Sequence, residues 1–189
     1  MIHQENNIDL MEELALRSAQ TIFPCEKNLQ SSVPLSEIVQ ANVSDIKSQS
    51  NPILIRVVGQ SGSGKSTQLI PALEDILKKI SYIKINVGKF APFHPEYTKW
   101  QKLSPELMRE KTNGFALRAL ILFYRNCIEN HVNILCDMTL LEPEIEHYLM
   151  MLAKKHGYQI QLHVLCVPKK SVGLFCASKV FKNRTFCES

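Results

Sequence analysis

The sequence predicts an α/β fold, in which a parallel sheet of four or five strands is flanked by helices on both faces. Short apolar runs alternate with helical patterns from Ile53 onward, and a glycine-rich loop separates the first run from the first helical pattern. A later apolar run ends in a carboxylate at Asp137. Strands that alternate with helices form parallel sheets through right-handed crossovers, and functional groups in such sheets gather at the carboxyl ends of the strands.

Strands are predicted where β-branched and other apolar residues run together, and helices where apolar residues recur at helical spacing. The predicted strands cover residues 53–58, 82–86, 132–137 and 159–167. The predicted helices cover residues 67–79, about 104–130, about 142–156 and 168–181. Ser104 followed by Pro105 is a good start for the second of these helices, and Asn113–Gly114 can break it. Residues 87–97 carry the prolines and aromatics of a loop.

Residues 1–51 lack strand signals and are predicted to form a helical N-terminal arm, ahead of a larger domain that covers residues 52–189. One helix of the arm is expected around residues 8–16, with Asn7 or Asp9 as its N-cap. A second helix is expected over residues 34–47, and Pro52 closes the arm. Packing on the core and binding of a partner protein are both open roles for it.

The composition argues against binding to nucleic acid and against insertion into a membrane. The 189-residue chain has a formal charge of +4 but no Lys/Arg tract, so nucleic acid is not expected. No apolar run approaches the roughly 20 residues of a membrane span, and the six cysteines include no C-x-x-C pair. The N-terminus is polar and acidic, unlike a signal peptide. A reducing, cytoplasmic setting is therefore expected.

The glycine-rich loop carries the most specific motif of the chain. Gly59-Gln60-Ser61-Gly62-Ser63-Gly64-Lys65-Ser66, followed by Thr67, matches the phosphate-binding pattern G-x-x-x-x-G-K-S/T between a strand and a helix. Glycines let the backbone N–H groups point inward, and the helix N-terminus adds partial positive charge. Lys65 is expected to contact the β- and γ-phosphates in catalysis, and Ser66 to bind Mg²⁺. A surface turn with an incidental lysine is the alternative, but the setting favours a site for ATP and Mg²⁺.

Asp137 is the second informative residue, because it ends an apolar run at the expected carboxyl edge of the sheet. An acid at this place supports Mg²⁺, often through water, in nucleotide-binding folds. The alternative is an aspartate that caps the next helix. Thr139, two residues on, can contact substrate or phosphate, or can simply stand at a helix start.

Four segments follow one another in a characteristic order. They are the loop at 59–66, Phe90-x-x-x-His94-Pro95, Asn133-Ile-Leu-Cys-Asp137-Met-Thr139 and Val164-Leu-Cys-Val-Pro168-Lys-x-Ser171. Together they resemble the zeta toxin family, kinases of bacterial toxin–antitoxin systems and their relatives, over about residues 53–172. The resemblance implies ATP-dependent phosphorylation of the 3′-hydroxyl of a UDP-N-acetyl amino sugar, and an antitoxin-like protein as a partner.

Several positions depart from the family pattern. Gly88 stands where the resemblance implies the carboxylate base, and Leu141 stands roughly where it implies an arginine. Asp137 replaces a glutamate of the family, whereas Thr139 matches. The arginines that close over the γ-phosphate are implied beyond the last helix, where Arg184 is the nearest candidate. The P-loop kinase-like domain of residues 52–189 is therefore expected to lack its lid region.

Candidate substrate-binding residues are implied by the same family resemblance. They are Asn86, Lys89, His94 and Thr139. Lys89 can neutralise an acidic substrate or be a solvated cation. His94 can contact substrate, or pack in its loop among the neighbouring aromatics Phe90, Phe93 and Tyr97.

Two classes of function remain open at this stage. The first is a small-molecule kinase that uses MgATP, with a nucleotide sugar as the favoured acceptor and other metabolites as alternatives. The second is a catalytically impaired nucleotide-binding protein that works through protein contacts. Because a base contributes about 10²–10⁴-fold and a clamping arginine about 10³–10⁵-fold, the departures predict weak transfer at best.

Overall fold

The computed structural model describes residues 2–22, 34–43, 46–59, 63–138, 143–166 and 179–181. It contains one five-stranded sheet in the order β2-β3-β1-β4-β5. The strands are β1 (Ile53–Gly59), β2 (Ile83–Ile85), β3 (Ile134–Asp137), β4 (Gln159–Leu165) and β5 (Lys179–Phe181). The helices are α1 (Ile2–Ile22), α2 (Leu35–Val43), α3 (Ile70–Leu77), α4 (Tyr97–Leu103), α5 (Pro105–Glu129) and α6 (Pro143–Lys155).

β1 lies at the centre of the sheet and pairs in parallel with β3 on one side and β4 on the other. β2 continues the parallel arrangement beyond β3. Parallel neighbours require crossover connections, and α3, α5 and α6 lie in the connections between successive strands. The predicted α/β fold, with four parallel strands and the first strand central, is confirmed.

A fifth strand was allowed for, but its position and its antiparallel direction were not predicted. β5 pairs antiparallel with β4, with Val180 opposite His163, so the prediction of a helix over 168–181 is wrong at its last three residues; residues 167–178 lie outside the described part. The physical reason is non-local. An edge strand such as β4 leaves a row of backbone N–H and C=O groups that any extended segment can pair, and a three-residue strand has no periodicity of its own.

The two faces of the sheet are covered by different helices. On one face, Ile55, Val57 and Leu135 pack against α3. On the other face, alternate strand residues such as Leu54 and Ile134 pack in a larger core with α1, α2, α5 and α6. Each strand side chain points to the face opposite its neighbour's, so an apolar run buried on both faces is the pattern that a covered parallel sheet requires.

The longest helix runs without interruption past its predicted break. Gly114 is buried inside α5, and Ser104 caps the helix by accepting a hydrogen bond from the Leu107 N–H at 3.0 Å. A glycine costs a helix interior about 1 kcal/mol, whereas burial of a single large apolar side chain contributes about 1.5–3 kcal/mol. Because Phe115 and Leu117 are each 2% exposed, packing outweighs the local cost.

Other helix boundaries also differ from the predictions. α1 begins at Ile2, so neither Asn7 nor Asp9 caps it, and α2 ends at Val43, before residue 47. The stretch predicted as a loop at 87–97 forms two 3₁₀ turns, after which α4 begins at Tyr97. Within the described residues no helix is long and apolar enough to cross a membrane.

α1 packs into the larger core through Ile8, Met11, Ala15 and Ala19. A buried carboxylate accompanies this packing: Glu12 accepts a hydrogen bond of 3.0 Å from the Tyr148 hydroxyl of α6 and pairs with Arg125 of α5. A buried acid requires such partners. The division of the chain into an arm over 1–51 and a domain over 52–189 stays a prediction.

Candidate functional site

The glycine-rich loop leaves the sheet at the centre of its carboxyl edge. Gly59 ends β1 opposite Leu165 of β4, and Val57 lies opposite Asp137 of β3. A Cβ at Gly59 would lie 2.7 Å from the backbone oxygen of Leu165. Since real Cβ atoms do not approach so closely, only glycine fits the point where the loop begins.

The loop enters its helix through a second special glycine. Gly64 has φ +93°, a left-handed conformation that side chains rarely adopt. Its carbonyl accepts a hydrogen bond of 3.0 Å from the Gln68 N–H, and a wide π-helical turn over Lys65–Leu69 leads into α3. Gln60, Ser61 and Gly62 lie outside the described residues.

Two polar side chains of the loop, Ser63 and Lys65, lie close to Gly59 at its start. The Lys65 ammonium donates a hydrogen bond of 2.6 Å to the carbonyl of Gly59, so its charge lies over the start of the loop. Among the described residues, the buried hydroxyl of Ser63 has no hydrogen-bond partner. A buried hydroxyl without a partner is costly. Ser63 and Lys65 are therefore the candidate ligand-binding side chains in the described part of the loop.

Ser66 and Thr67 follow at the exposed rim of the loop. The Thr67 hydroxyl donates to the carbonyl of Gly64 at 3.4 Å, a local contact that supports the turn. Both residues are where the sequence places them, on the first turn after the loop, and the metal-binding role of Ser66 stays a prediction.

Asp137 is buried at the end of β3, with 7% of its surface exposed. It does not cap α6, because that helix begins at Pro143, so the capping alternative is wrong. Hydroxyl and carboxylate oxygens are donors that suit Mg²⁺, which takes few protein ligands and completes its shell with phosphate and water. Ser66 and Asp137 fit this donor set. Within the described residues, no group of three or more His, Cys, Asp or Glu side chains could hold a metal.

The candidate substrate residues lie after β2. The side-chain oxygen Oδ1 of Asn86 accepts a 2.7 Å hydrogen bond from the Gly88 N–H and so caps the following turn. The Lys89 ammonium donates to the carbonyl of Lys84 at 2.9 Å. Burial, and then the charge of Lys84, lowers the pKa of Lys89, while Lys84 itself pairs with Glu74 at 2.9 Å. Both candidates thus have local structural partners.

His94 is buried in the same region, with 3% exposed. Its Nδ1 accepts a 3.1 Å hydrogen bond from the Glu96 N–H, and its ring meets that of Phe115 edge-on at 5.2 Å between centroids. These contacts favour the packing interpretation over substrate contact. Thr139 and Leu141 lie outside the described residues.

Sequence reasoning missed one buried charge beside the site. Arg56, in the middle of β1, is 1% exposed and pairs with Glu146 of α6. The signal was present as an arginine inside the run Ile-Leu-Ile-Arg-Val-Val, since a charge in a buried strand requires a partner.

Comparisons with known proteins agree with this geometry. The zeta toxin family model matches residues 39–185. Toxin PezT of Streptococcus pneumoniae serotype 4 is 28% identical over 119 residues, which are 63% of this chain and 46% of that protein. A solved structure from the PezAT chromosomal toxin–antitoxin system of the same species superposes with a TM-score of 0.61 at 26% identity, over 69% of this chain and 53% of that one. The chain thus spans about half the length of these relatives.

Proposed function

The chain belongs to the zeta toxin family, and on that premise we propose that it is a P-loop kinase of the toxin type. It binds ATP with Mg²⁺ and transfers the γ-phosphate to a hydroxyl of a small molecule. A cytoplasmic setting is part of the proposal. So is an antitoxin-like protein partner, which is supported by the likeness to a structure from a toxin–antitoxin system.

The observation that carries the proposal is the loop between β1 and α3. Gly59 admits no Cβ, and the buried Ser63 hydroxyl has no partner among the described residues. The Lys65 ammonium rests on the neutral carbonyl of Gly59. A phosphate would give Ser63 an acceptor and would offer the Lys65 ammonium an acceptor of opposite charge in place of a neutral carbonyl.

Each residue near the loop has a separate task in the proposed reaction. Lys65 stabilises the negative charge on the phosphoryl group as it moves. Ser66 and Asp137 would hold Mg²⁺, which when bound would neutralise phosphate charge. Asp137 is also placed to accept the proton of the attacking hydroxyl if the acceptor lies across the end of β3.

The favoured acceptor is a UDP-N-acetyl amino sugar, which follows from family resemblance. The choice of acceptor rests on that resemblance alone, because Lys84 is paired with Glu74 at 2.9 Å and Lys89 donates to the carbonyl of Lys84 at 2.9 Å. Gly88 provides no carboxylate at the exit of β2, so transfer should be slow, and other hydroxyl metabolites remain alternative acceptors.

A second candidate is a nucleotide-binding protein that acts through protein contacts with little transfer. The observation that favours it is Gly88 at the expected base position, with the neighbouring Asn86 side-chain oxygen already engaged by the Gly88 N–H. This arrangement leaves binding groups in place and removes a group that only transfer needs.

The test separates the two candidates. The purified protein is incubated with MgATP and UDP-N-acetylglucosamine, phosphorylated sugar is measured by mass spectrometry, and ATP affinity is measured by calorimetry. Slow product formation with firm ATP binding supports the kinase. Firm binding without product, in this sugar and in a panel of hydroxyl metabolites, supports the second candidate. Absence of ATP binding contradicts both.

A further inference from the structure

Arg56 occupies an unusual place for a charged side chain. It lies in the central strand, is 1% exposed, and faces the side of the sheet that α1, α5 and α6 cover. Its neighbours on the same face of β1 are aliphatic. Arginine is almost never fully buried unless it is paired. The contacts of the Arg56 guanidinium therefore indicate which parts of the fold it stabilises.

The guanidinium joins three elements of the fold. Nε lies 3.4 Å from one carboxylate oxygen of Glu146, and Nη2 donates to the other, which ties β1 to α6. Nη1 donates to the backbone oxygen of Met138 at 3.3 Å and lies 3.8 Å from the Cys136 sulfur. One side chain thus reaches α6 and the end of β3 together.

Met138 directly follows Asp137, and its peptide groups are held from two sides. Its N–H donates to the Val57 carbonyl at 3.4 Å, while its carbonyl accepts from Arg56. The register beside it pairs Arg56 with Cys136 and Val57 with Asp137. The backbone that leaves β3 after Asp137 is therefore held by Val57 on one side and by the Arg56 guanidinium on the other.

We propose that Arg56 and Glu146 form a positioning pair that orients Asp137 toward the Mg²⁺ of the bound nucleotide. The inference rests on the proposed function, because it assigns the pair a role in that same site. Arginine suits the task, since its rigid fork carries five donors and can serve a carboxylate and a carbonyl together. Glu146 neutralises the charge so that the fork can stay buried.

A purely structural role makes a different prediction. Replacing both members of a buried ion pair by apolar residues is often neutral or stabilising for the fold. Such a replacement keeps the core filled but leaves the Met138 carbonyl without its donor. If the pair positions Asp137, the double variant should keep its stability and lose part of the dependence of its ATP affinity on Mg²⁺. If the pair is only structural, the double replacement should change stability alone.

The experiment measures ATP affinity by calorimetry twice for each protein, with excess Mg²⁺ and with EDTA. The ratio of the two affinities is the Mg²⁺ increment. In Arg56→Met/Glu146→Leu the affinity in EDTA is expected to stay within about threefold of wild type, because the loop is intact. The Mg²⁺ increment is expected to fall by about 10- to 100-fold, the usual cost of losing a group that orients a metal ligand.

Glu12 and Arg125 supply the matched control. They form another ion pair with a buried carboxylate, between α1 and α5. Their other hydrogen-bond and ionic partners, Tyr148, Asp9 and Glu129, lie on α6, α1 and α5. Glu12→Leu/Arg125→Met is expected to keep the wild-type Mg²⁺ increment. If the Arg56 double variant does not fold, Arg56→Lys is measured instead; it keeps the charge but has one ammonium in place of the fork, and it is expected to lose part of the increment.

The outcomes distinguish this inference from the function on which it rests. An increment that is unchanged in the folded double variant, or in Arg56→Lys, overturns the positioning role and leaves the kinase proposal standing. An equal loss in the control pair also overturns it, since the effect would then be general. A wild-type protein that binds ATP with no Mg²⁺ increment overturns the inference together with the proposed metal role of Ser66 and Asp137, but leaves ATP binding standing. A wild-type protein that binds no ATP overturns the whole proposed function.

Discussion

The two halves of the carboxyl edge are built differently. At the exit of β1, the loop has a glycine with no space for a side chain, a buried unpartnered hydroxyl among the described residues, and a lysine directed over it. At the exit of β2, Asn86 and Lys89 are bonded to their own backbone neighbourhood, and Gly88 has no functional side chain. The first half thus holds the candidate binding groups, whereas the polar groups of the second are bonded to their own neighbours.

The difference teaches that nucleotide binding and phosphoryl transfer depend on separate groups. Binding needs the phosphate loop, whose parts are adjacent in sequence. Transfer also needs an oriented acceptor and a base, which come from another strand. A chain can therefore keep the first property while it loses the second, and each prediction below tests one side of that division.

The largest expected effect is a gain of transfer at the exit of β2. The wild type is expected to turn over UDP-N-acetylglucosamine more slowly than about 1 s⁻¹, the lower end of the kinase range. Gly88→Asp restores a carboxylate at the proposed base position and should raise the rate by about 10²-fold or more. A Cβ at Gly88 would lie 3.1 Å from the Asn86 side-chain oxygen, so a small shift of that side chain accommodates it.

Product measured by mass spectrometry checks this prediction, with Gly88→Asn as the control of similar size that cannot act as a base. A wild-type rate above 1 s⁻¹, or equal rates in the two variants, would show that transfer does not depend on a carboxylate base at position 88. Loss of residual activity in Asp137→Asn would instead assign the base role to Asp137.

The next effect concerns Lys65 at the exit of β1. Lys65→Ala removes a charge-assisted contact worth about 1.5–3 kcal/mol, so ATP affinity should fall by tenfold to a hundredfold in calorimetry. Lys78→Ala is the matched control, because Lys78 lies on the same helix region and is 74% exposed. Equal ATP affinity in wild type and Lys65→Ala would contradict the phosphate assignment.

A third prediction compares the two exits directly through their glycines. Gly59→Ala places a methyl group 2.7 Å from the Leu165 backbone oxygen, and such overpacking costs about 1–3 kcal/mol of unfolding free energy. Gly88→Ala meets only a side-chain oxygen at 3.1 Å and should cost less. Urea unfolding measures both; a larger loss in Gly88→Ala would reverse the comparison.

The smallest effect tests the charge at the exit of β2. The pKa of Lys89 is lowered by burial and by Lys84, so the unfolded chain binds that proton more tightly than the folded chain does. The wild type should therefore gain stability as pH rises through the lowered pKa toward 10.5. Lys89→Gln should be more stable than wild type at pH 7, by less than about 0.5 kcal/mol.

Urea unfolding of wild type and Lys89→Gln at several pH values checks the sign, with Lys102→Gln as the control for removing a surface lysine. The difference between wild type and variant should shrink as the pH approaches 10.5. A difference in stability that stays constant with pH would show that the effect comes from packing and not from the charge of Lys89.

Local signals in the sequence predicted the parts of the site that are local. The loop was predicted because its glycines, lysine and serine are contiguous between a strand and a helix. Asp137 was placed because it ends an apolar run. In the same way, β1 to β4 followed from runs of β-branched residues, and their parallel order followed from the helices between them.

The remaining features depend on distant parts of the chain. β5 exists because β4 has an open edge, and Gly114 stays helical because its neighbours are buried on the sheet. The burial of the Arg56 charge is explained only by its partner Glu146, which lies 90 residues further along the chain. No window of sequence contains both partners, although the arginine itself was a visible anomaly.

The central position of β1 has a consequence for the synthesis of the protein on the ribosome. Its backbone already depends on distant residues at its first position, where the Ile53 N–H donates to the Asn133 side chain 80 residues later. At roughly 5–20 residues per second, a ribosome needs about 4 to 16 s to make that span. During this interval the strand that carries the phosphate loop has no sheet neighbour, and its apolar faces are open to chaperones and to other nascent chains.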